Sequence, residues 1–452
     1  MFRKTMNKNK LLLYPMKTTV IYLLFTIVLF VFGPIRWKIP SYSKLVTFLL
    51  VYIAAFAFGY YFQLHIKKLA APELIDELSD PNNPSFGILG DTKIRSITFV
   101  FVISCVYSII RNSVLTIHNY GSIDFSAFLD IDLAATYFDR LDSDVEGTWY
   151  IQLFNYTSVL DAFWFILGVL YFKKLKLSYK CLFFVAIAFS SLYNVMSGTM
   201  ISWATLVFRL IPLLFIGLYK AKFAEKLQAK RKSRKTILLI VLICFIFVFL
   251  FSSVQESRSK YIGKDLEYNE GTLGRFIEEE HDIPIIGAAL RSVDMYIVNG
   301  YCGMAYGLEL KPQFTYGIGF SRDFARLINQ TFGFDVSGYT YPQRIEDEYG
   351  WLNGKYWPSA FSWFASDWTY YGIPILMFIF GAFLCNVWYS TLYENSIVAT
   401  ALSSWLWIGI IFLPANNQLF QSLSSFMTTV GLMLLYMMRN ILPRIVFKTE
   451  KK

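Results

Sequence analysis

Charged side chains are scarce in this chain. Asp, Glu, Lys and Arg make up 16% of its 452 residues, where a soluble globular protein keeps roughly 25%. That deficit excludes the series of soluble domains that the length alone would suggest. Histidine is rarer still, at three residues, and no H-E-x-x-H occurs, which excludes a zincin. The chain also lacks a Walker string and a G-x-S-x-G elbow, arguing against a P-loop ATPase and a serine hydrolase. Its five cysteines provide neither a disulfide framework nor a zinc spacing. Cys105, Cys181, Cys244 and Cys385 fall inside apolar runs and leave Cys302 alone.

What fills the space is apolar and aromatic: 55% of residues are hydrophobic, with 43 Phe, 30 Tyr and 11 Trp. Apolar runs of about 17 to 22 residues recur, each long enough to cross about 30 Å of hydrocarbon as a helix. The pattern predicts an all-α polytopic membrane protein of about ten transmembrane helices. The expected spans are 18–32, 45–64, 96–110, 151–172, 181–197, 199–219, 236–253, 368–389, 397–414 and 420–438. Backbone in lipid must satisfy its own hydrogen bonds, and these runs are too continuous for barrel strands. The basic start resembles a secretory signal, but Gly33-Pro34-Ile35-Arg36 follows without a small-x-small cleavage site, so the first span is expected to be retained. No internal repeat is visible, so an inverted-repeat transporter plan gains no support.

Lys and Arg set the expected sidedness. With both termini cytoplasmic, the inside segments carry 26 basic residues and the short outside loops carry 5, with 10 more in the long loop 254–360. The run Lys220 to Lys235 then reads as a topology anchor beside anionic membrane lipids rather than as a nucleic-acid patch. The chain divides into residues 1–253, with seven spans and an acidic outside loop at 111–154; the large outside loop 254–360; and residues 361–452, with three spans and a cytoplasmic tail. Loops as long as 254–360 are usually functional. Within it Ile286, Leu290, Val293, Ile297 and Tyr301 repeat at helical spacing around Arg291 and Asp294, predicting a helix that lies at the membrane interface.

Arginine on the outer side is the most informative chemistry. Arg258, Arg291, Arg322, Arg326 and Arg344 lie in the long loop with Lys355, and Arg111 closes the third span at the same face. Arg favours bidentate contact with phosphate and carboxylate oxygens. These residues are candidate phosphate ligands or partners of the loop's own 15 acidic residues. Arg209 sits mid-span, where a charge usually faces a partner or a wet cavity. It is expected either to pair with Asp161 or to hold a substrate phosphate.

Three groups are candidate bases. Asp367 opens the eighth span, as a general base for a sugar hydroxyl or as a helix N-cap. Glu256 adjoins Arg258 just outside the seventh span, as a salt-bridged anchor or a site residue. His281 lies in an acidic run, on a solvated face or as a base. Two D-x-D strings, Asp130-Ile-Asp132 and Asp142-Ser-Asp144, could hold a divalent cation, but strings of this kind arise by chance in an acidic loop. No metal site and no cofactor is assigned.

The segment Trp357-Pro-Ser-Ala-Phe-Ser-Trp-Phe-Ala-Ser-Asp367-Trp-Thr-Tyr-Tyr-Gly372, continuing to Gly381, resembles the post-loop span of the Wzy-type O-antigen polymerases. Asp367, Tyr371, Gly372 and Gly381 take the family's places. The hairpin Met196-Ser-Gly198-Thr resembles the family's Ser-Gly-Ser-Arg turn without its Arg, and Arg322 to Gly333 fits an Arg-x10-Gly pattern. The layout of many spans, one late outside loop and three closing spans agrees. The resemblance implies a bacterial inner-membrane glycosyltransferase that polymerises undecaprenyl-pyrophosphate-linked oligosaccharide repeat units on the periplasmic face. It also implies a chain-length regulator in the inner membrane as a partner. The competing readings are an O-antigen ligase and, from another class, a lipid-linked oligosaccharide flippase. A flippase would be expected to carry its polar groups along a path through many spans, with short loops.

Overall fold

The computed structural model describes residues 11–70, 94–123, 148–197, 201–223, 269–276, 284–352, 356–394 and 396–439. In chain order the elements are α1 (Tyr14–Phe32), β1 (Ile35–Arg36), α2 (Tyr42–Ala70), α3 (Ile94–Tyr120), α4 (Trp149–Tyr156), a 3-10 turn (Ser158–Ala162), α5 (Trp164–Tyr171), α6 (Leu177–Met196), α7 (Ile201–Arg209), α8 (Ile211–Phe223), β2 (Asn269–Glu270), α9 (Thr272–Arg275), α10 (Pro284–Gly307), α11 (Arg322–Phe332), α12 (Tyr341–Tyr349), α13 (Ala360–Tyr393), α14 (Ile397–Phe412) and α15 (Leu423–Met438). Among the described residues the fold is all-α apart from one antiparallel pair of two-residue strands, with Ile35 opposite Glu270.

Among the described residues, five helices are long and apolar enough to cross a membrane: α1, α2, α3, α6 and α13. The pair α4 and the 3-10 turn through α5 makes a sixth if it is one span bent by 51°. The shorter apolar helices Trp203–Gly217, α14 and α15 fall on three further expected spans. The expected span at 236–253 lies outside the described residues. This is a multi-pass helical membrane architecture, in which five to six of the ten expected spans meet the length criterion among the described residues.

The two longest helices, α2 and α13, form the closest pair, and glycine explains how. A Cβ on Gly59 would stand 2.0 Å from the Phe378 carbonyl oxygen, and one on Gly381 would stand 2.1 Å from that of Phe56. Apolar side chains gain little by leaving lipid for a neighbouring helix, so close backbone approach through small residues carries such contacts. Gly381, a place in the polymerase-like segment, is thus a packing residue. Helix α13 contains Pro374, which cannot donate to the carbonyl of Tyr370. The Tyr52 hydroxyl of α2 donates to that carbonyl at 2.8 Å. Helix α13 also departs from helical geometry at Thr369 (φ 54°, ψ 164°), a conformation that is an outlier for a β-branched residue.

Two expected spans are interrupted. The span at 151–172 breaks at Thr157, and hydroxyls satisfy the backbone there. Ser104 Oγ of α3 donates to the Leu160 carbonyl and accepts the Trp164 N–H at 2.8 Å. Ser158 Oγ donates to the Ser424 carbonyl at 2.7 Å. Irregular backbone at membrane depth is tolerated where protein groups supply its hydrogen bonds. The span at 199–219 divides at Leu210, just before Pro212.

One end of the bundle collects the connecting segments. Ser359 N–H donates to the Gly300 carbonyl at 2.9 Å and Ala360 N–H to that of Leu413 at 3.1 Å. The Asn417 amide donates to the Phe320 carbonyl at 2.6 Å. Helix α10 crosses this end. Its C-terminal half, Val298 to Ala305, is buried on every face, whereas Leu290 to Ile297, where the interfacial helix was expected, is half-buried apart from Asp294. A helix apolar around its circumference belongs inside a protein.

Candidate functional site

Asp367 lies eight residues into α13, whose N-cap position is Ser359. It does not cap the helix, which corrects that alternative, and it lies two residues before the break at Thr369, beyond which the longer helical stretch of α13 runs. Its carboxylate holds a loop instead. Oδ1 accepts the Thr315 hydroxyl at 2.5 Å, the Gly317 N–H at 2.8 Å and the Gly319 N–H at 3.3 Å. Oδ2 accepts the Phe320 N–H at 2.8 Å. The loop is tight because Gly317 takes φ +84° and because a Cβ on Gly319 would meet Thr315 Oγ1 at 2.1 Å. Donor count makes Asp367 a loop anchor first.

The anchored loop leads into α11 and positions its arginines. Ser321 caps α11, accepting the Phe324 N–H at 3.3 Å. Arg322 Nε lies 3.2 Å from Asp323 Oδ1 and the guanidinium sits 5.6 Å over the Trp357 ring. Arg326 reaches the same Asp323 oxygen at 3.9 Å. Asp323 Oδ2 accepts the Leu423 N–H at 3.2 Å, at the start of α15 where negative charge is favoured. Arg344 donates to the Lys311 carbonyl at 2.9 Å and lies over the Tyr341 ring at 5.4 Å. Tyr341 N–H in turn donates to Ser366 Oγ at 3.0 Å. The structure thus gathers Asp367, Arg322, Arg326 and Arg344 at one end of the bundle, with Trp357 among them.

Arg291 is set on α10, nine residues before Gly300, or about 13 Å along the helix axis. Glu256, Arg258, His281 and Lys355 lie outside the described residues, as do both D-x-D strings.

A second tier lies within the bundle. Arg209 ends α7 and is 7% exposed. Its guanidinium lies 4.8 Å over the Trp405 ring of α14, and the Trp405 indole N–H donates to Thr429 Oγ1 at 2.8 Å. The expected pair with Asp161 is not an ion pair: Asp161 accepts the Trp164 indole N–H at 3.1 Å and acts on Arg209 only at longer range. Arg111 does not close its span, because α3 continues nine residues beyond it. Its Nη2 donates to Ser424 Oγ at 3.0 Å, while its buried Nε has no hydrogen-bond partner among the described residues.

Asp294 on α10 is the fully buried carboxylate whose burial the sequence concealed. Oδ2 accepts the Ile35 N–H at 3.1 Å, and Gly33 passes so close that a Cβ there would stand 2.9 Å from Oδ2. Oδ1 has no hydrogen-bond partner among the described residues. Burial pushes the carboxyl up to about 8, against the lowering effect of the Ile35 N–H and the nearby Trp37 indole. That indole falls short of hydrogen-bond geometry, so the Ile35 contact is the secure one. Period-3.6 patterning marked Asp294 as a polar residue among apolar ones and gave no sign that β1 would close over it.

Among the described residues no cluster of three His, Cys, Asp or Glu side chains forms a metal-ligand group. Compared with family models, curated proteins and solved structures, the chain matches none.

Proposed function

We propose that the chain is a bacterial inner-membrane glycosyltransferase that polymerises undecaprenyl-pyrophosphate-linked oligosaccharide repeat units at the loop-bearing end of the bundle, on the periplasmic side. The observation that carries the reading is the joining of Arg322, Arg326, Arg344 and Trp357 around the Asp367-anchored loop, at the end of an apolar helical bundle. Arginines suit phosphate oxygens and aromatic faces suit sugar rings. In the reaction an acceptor hydroxyl attacks the sugar carbon that bears the pyrophosphate. A new carbon–oxygen bond forms, the bond to the pyrophosphate oxygen breaks, and the lipid pyrophosphate departs. A general base takes the hydroxyl proton and cationic groups stabilise the leaving group. Glu256 and His281 are the base candidates in this reading. Asp367 is a positioning residue, because the loop already occupies its carboxylate.

The test in cells is the surface polysaccharide of a strain lacking the gene. Single repeats on the lipid core support a polymerase; loss of all repeats points to a ligase or flippase; an unchanged ladder rejects the reading. Sidedness has its own test. Single cysteines at Lys230 and Gln313 should react with an impermeant thiol reagent from opposite sides, and reaction of both from the periplasm would refute the orientation.

A further inference from the structure

The outer arginines have partners at the surface: Asp323 holds Arg322 and Arg326, and the Lys311 carbonyl holds Arg344. The two inner arginines differ. Arg209 is more than nine-tenths buried, yet makes no hydrogen bond or ion pair with any described residue, and its Nε is an orphaned buried donor. Its one close partner is the Trp405 ring face. Arg111 spends one nitrogen on Ser424 and leaves its buried Nε unpaired. The two guanidinium groups face the same stretch of α15: Arg111 donates to Ser424, and Arg209 lies on Trp405, whose indole N–H donates to Thr429 five residues further along. Asp161 is the opposing charge that reaches Arg209 at longer range. Two like charges facing one helix of an apolar bundle, with donors to spare and no ion-pair partner among the described residues, call for an anion.

The geometry points to an anion subsite formed by Arg111 and Arg209 within the bundle, built for the phosphoryl oxygens of a pyrophosphate group. A pyrophosphate presents several acceptor oxygens, enough for two planar guanidinium forks, and one carboxylate does not. Beside Arg111, Ser424 of α15 accepts the guanidinium on its hydroxyl and the Ser158 hydroxyl of the broken span on its carbonyl, and Ser158 Oγ in turn accepts the Thr428 hydroxyl. A lipid-borne pyrophosphate reaches this depth with its chain in the hydrocarbon. The assignment of the lipid rests on the proposed polymerase reading; the anion chemistry does not.

The experiment uses the full-length protein in neutral phosphatidylcholine nanodiscs, read by thermal stability across a ligand titration. The probes are undecaprenyl pyrophosphate, inorganic pyrophosphate and phosphatidylglycerol. Undecaprenyl pyrophosphate should stabilise the wild type. Arg111→Gln and Arg209→Gln should each weaken that binding by roughly ten-fold or more, the loss of one charge-assisted hydrogen bond. An equal effect of inorganic pyrophosphate, lost in the same variants, supports the subsite and makes its ligand a free anion. Stabilisation by phosphatidylglycerol, lost likewise, makes the ligand a bulk lipid and overturns the pyrophosphate assignment. If no probe stabilises the wild type, or if both Gln variants bind as it does, the subsite is wrong. Where Arg209→Gln fails to accumulate, Arg209→Lys carries the test. It keeps the charge but loses the fork, so binding should still weaken, and wild-type binding refutes a bidentate role. Failure of the polymerase reading is separable. Binding without glycan extension refutes that reading alone, and normal extension by both Gln variants refutes the subsite alone.

Discussion

Arg209 gives the account a consequence for stability as well as for binding. A guanidinium buried without a hydrogen-bonded partner costs several kcal/mol, and removing a buried charge in favour of an apolar side chain is often stabilising by about 1–4 kcal/mol. The Trp405 ring offsets part of that cost, by about 2 kcal/mol for a desolvated cation–π contact. Asp161 adds attraction at longer range and Arg111 adds repulsion. Arg209→Met fills a similar volume without charge, so the ligand-free protein should gain about 1–2 kcal/mol net. For a chain of this size that is a rise in midpoint of about 1–3 °C, from the scaling of unfolding entropy with length. The assay is thermal unfolding of detergent-purified wild type and Arg209→Met at one scan rate, without and with undecaprenyl pyrophosphate. The variant should melt later without ligand and should lose the ligand-induced shift. A fall in midpoint of several degrees without ligand would refute the reasoning, because Arg209 would then be a structural cation.

Asp294 ties stability to pH. Its folded carboxyl is raised to about 8 while the unfolded one is ordinary, so the native state holds the proton more tightly and stability should fall as pH rises from about 4 to about 8. Asp294→Asn keeps an acceptor for the Ile35 N–H and should flatten this slope, with its gain larger at pH 8 than at pH 5; parallel melting curves would argue against it. Gly381→Leu should separate α2 from α13 and cost more than 3 kcal/mol, as overpacking against backbone does at its upper end; wild-type accumulation and midpoint would contradict the close contact. Asp367→Asn retains one acceptor oxygen and sets an amide N–H₂ against backbone donors, so it and Asp367→Ala should both release the 315–320 loop, at about 1–3 kcal/mol each. Limited proteolysis between Thr315 and Ser321 would show this, and an unaltered digest of both variants would remove the anchor.

The sequence carried the helices well and their interruptions poorly. Hydropathy alone located α1, α2, α3, α6 and α13, because a continuous apolar run has one solution in lipid. It could not show the break at Thr157, since Ser104, Ser158 and Ser424 come from three separate parts of the chain and only meet in space. Nor could it place Arg111, which ends an apolar stretch by composition yet lies within α3. Asp367 stood out in the sequence as a candidate base or helix cap. Its task was not legible, because the donors that occupy it come from residues 315–320. The expected Arg209–Asp161 ion pair does not form: Asp161 accepts the Trp164 indole N–H, one turn away, and the Arg209 guanidinium lies on the Trp405 ring instead.

The most direct test of the proposed activity needs only purified components. Full-length protein in liposomes would be given undecaprenyl-pyrophosphate-linked repeat units from its own host, with no nucleotide sugar and no other enzyme. The account expects lipid-linked glycans lengthened by whole repeats, with release of undecaprenyl pyrophosphate in equal amount. Repeat units that stay single in the presence of folded protein, whether left in place or moved across the bilayer, would contradict it.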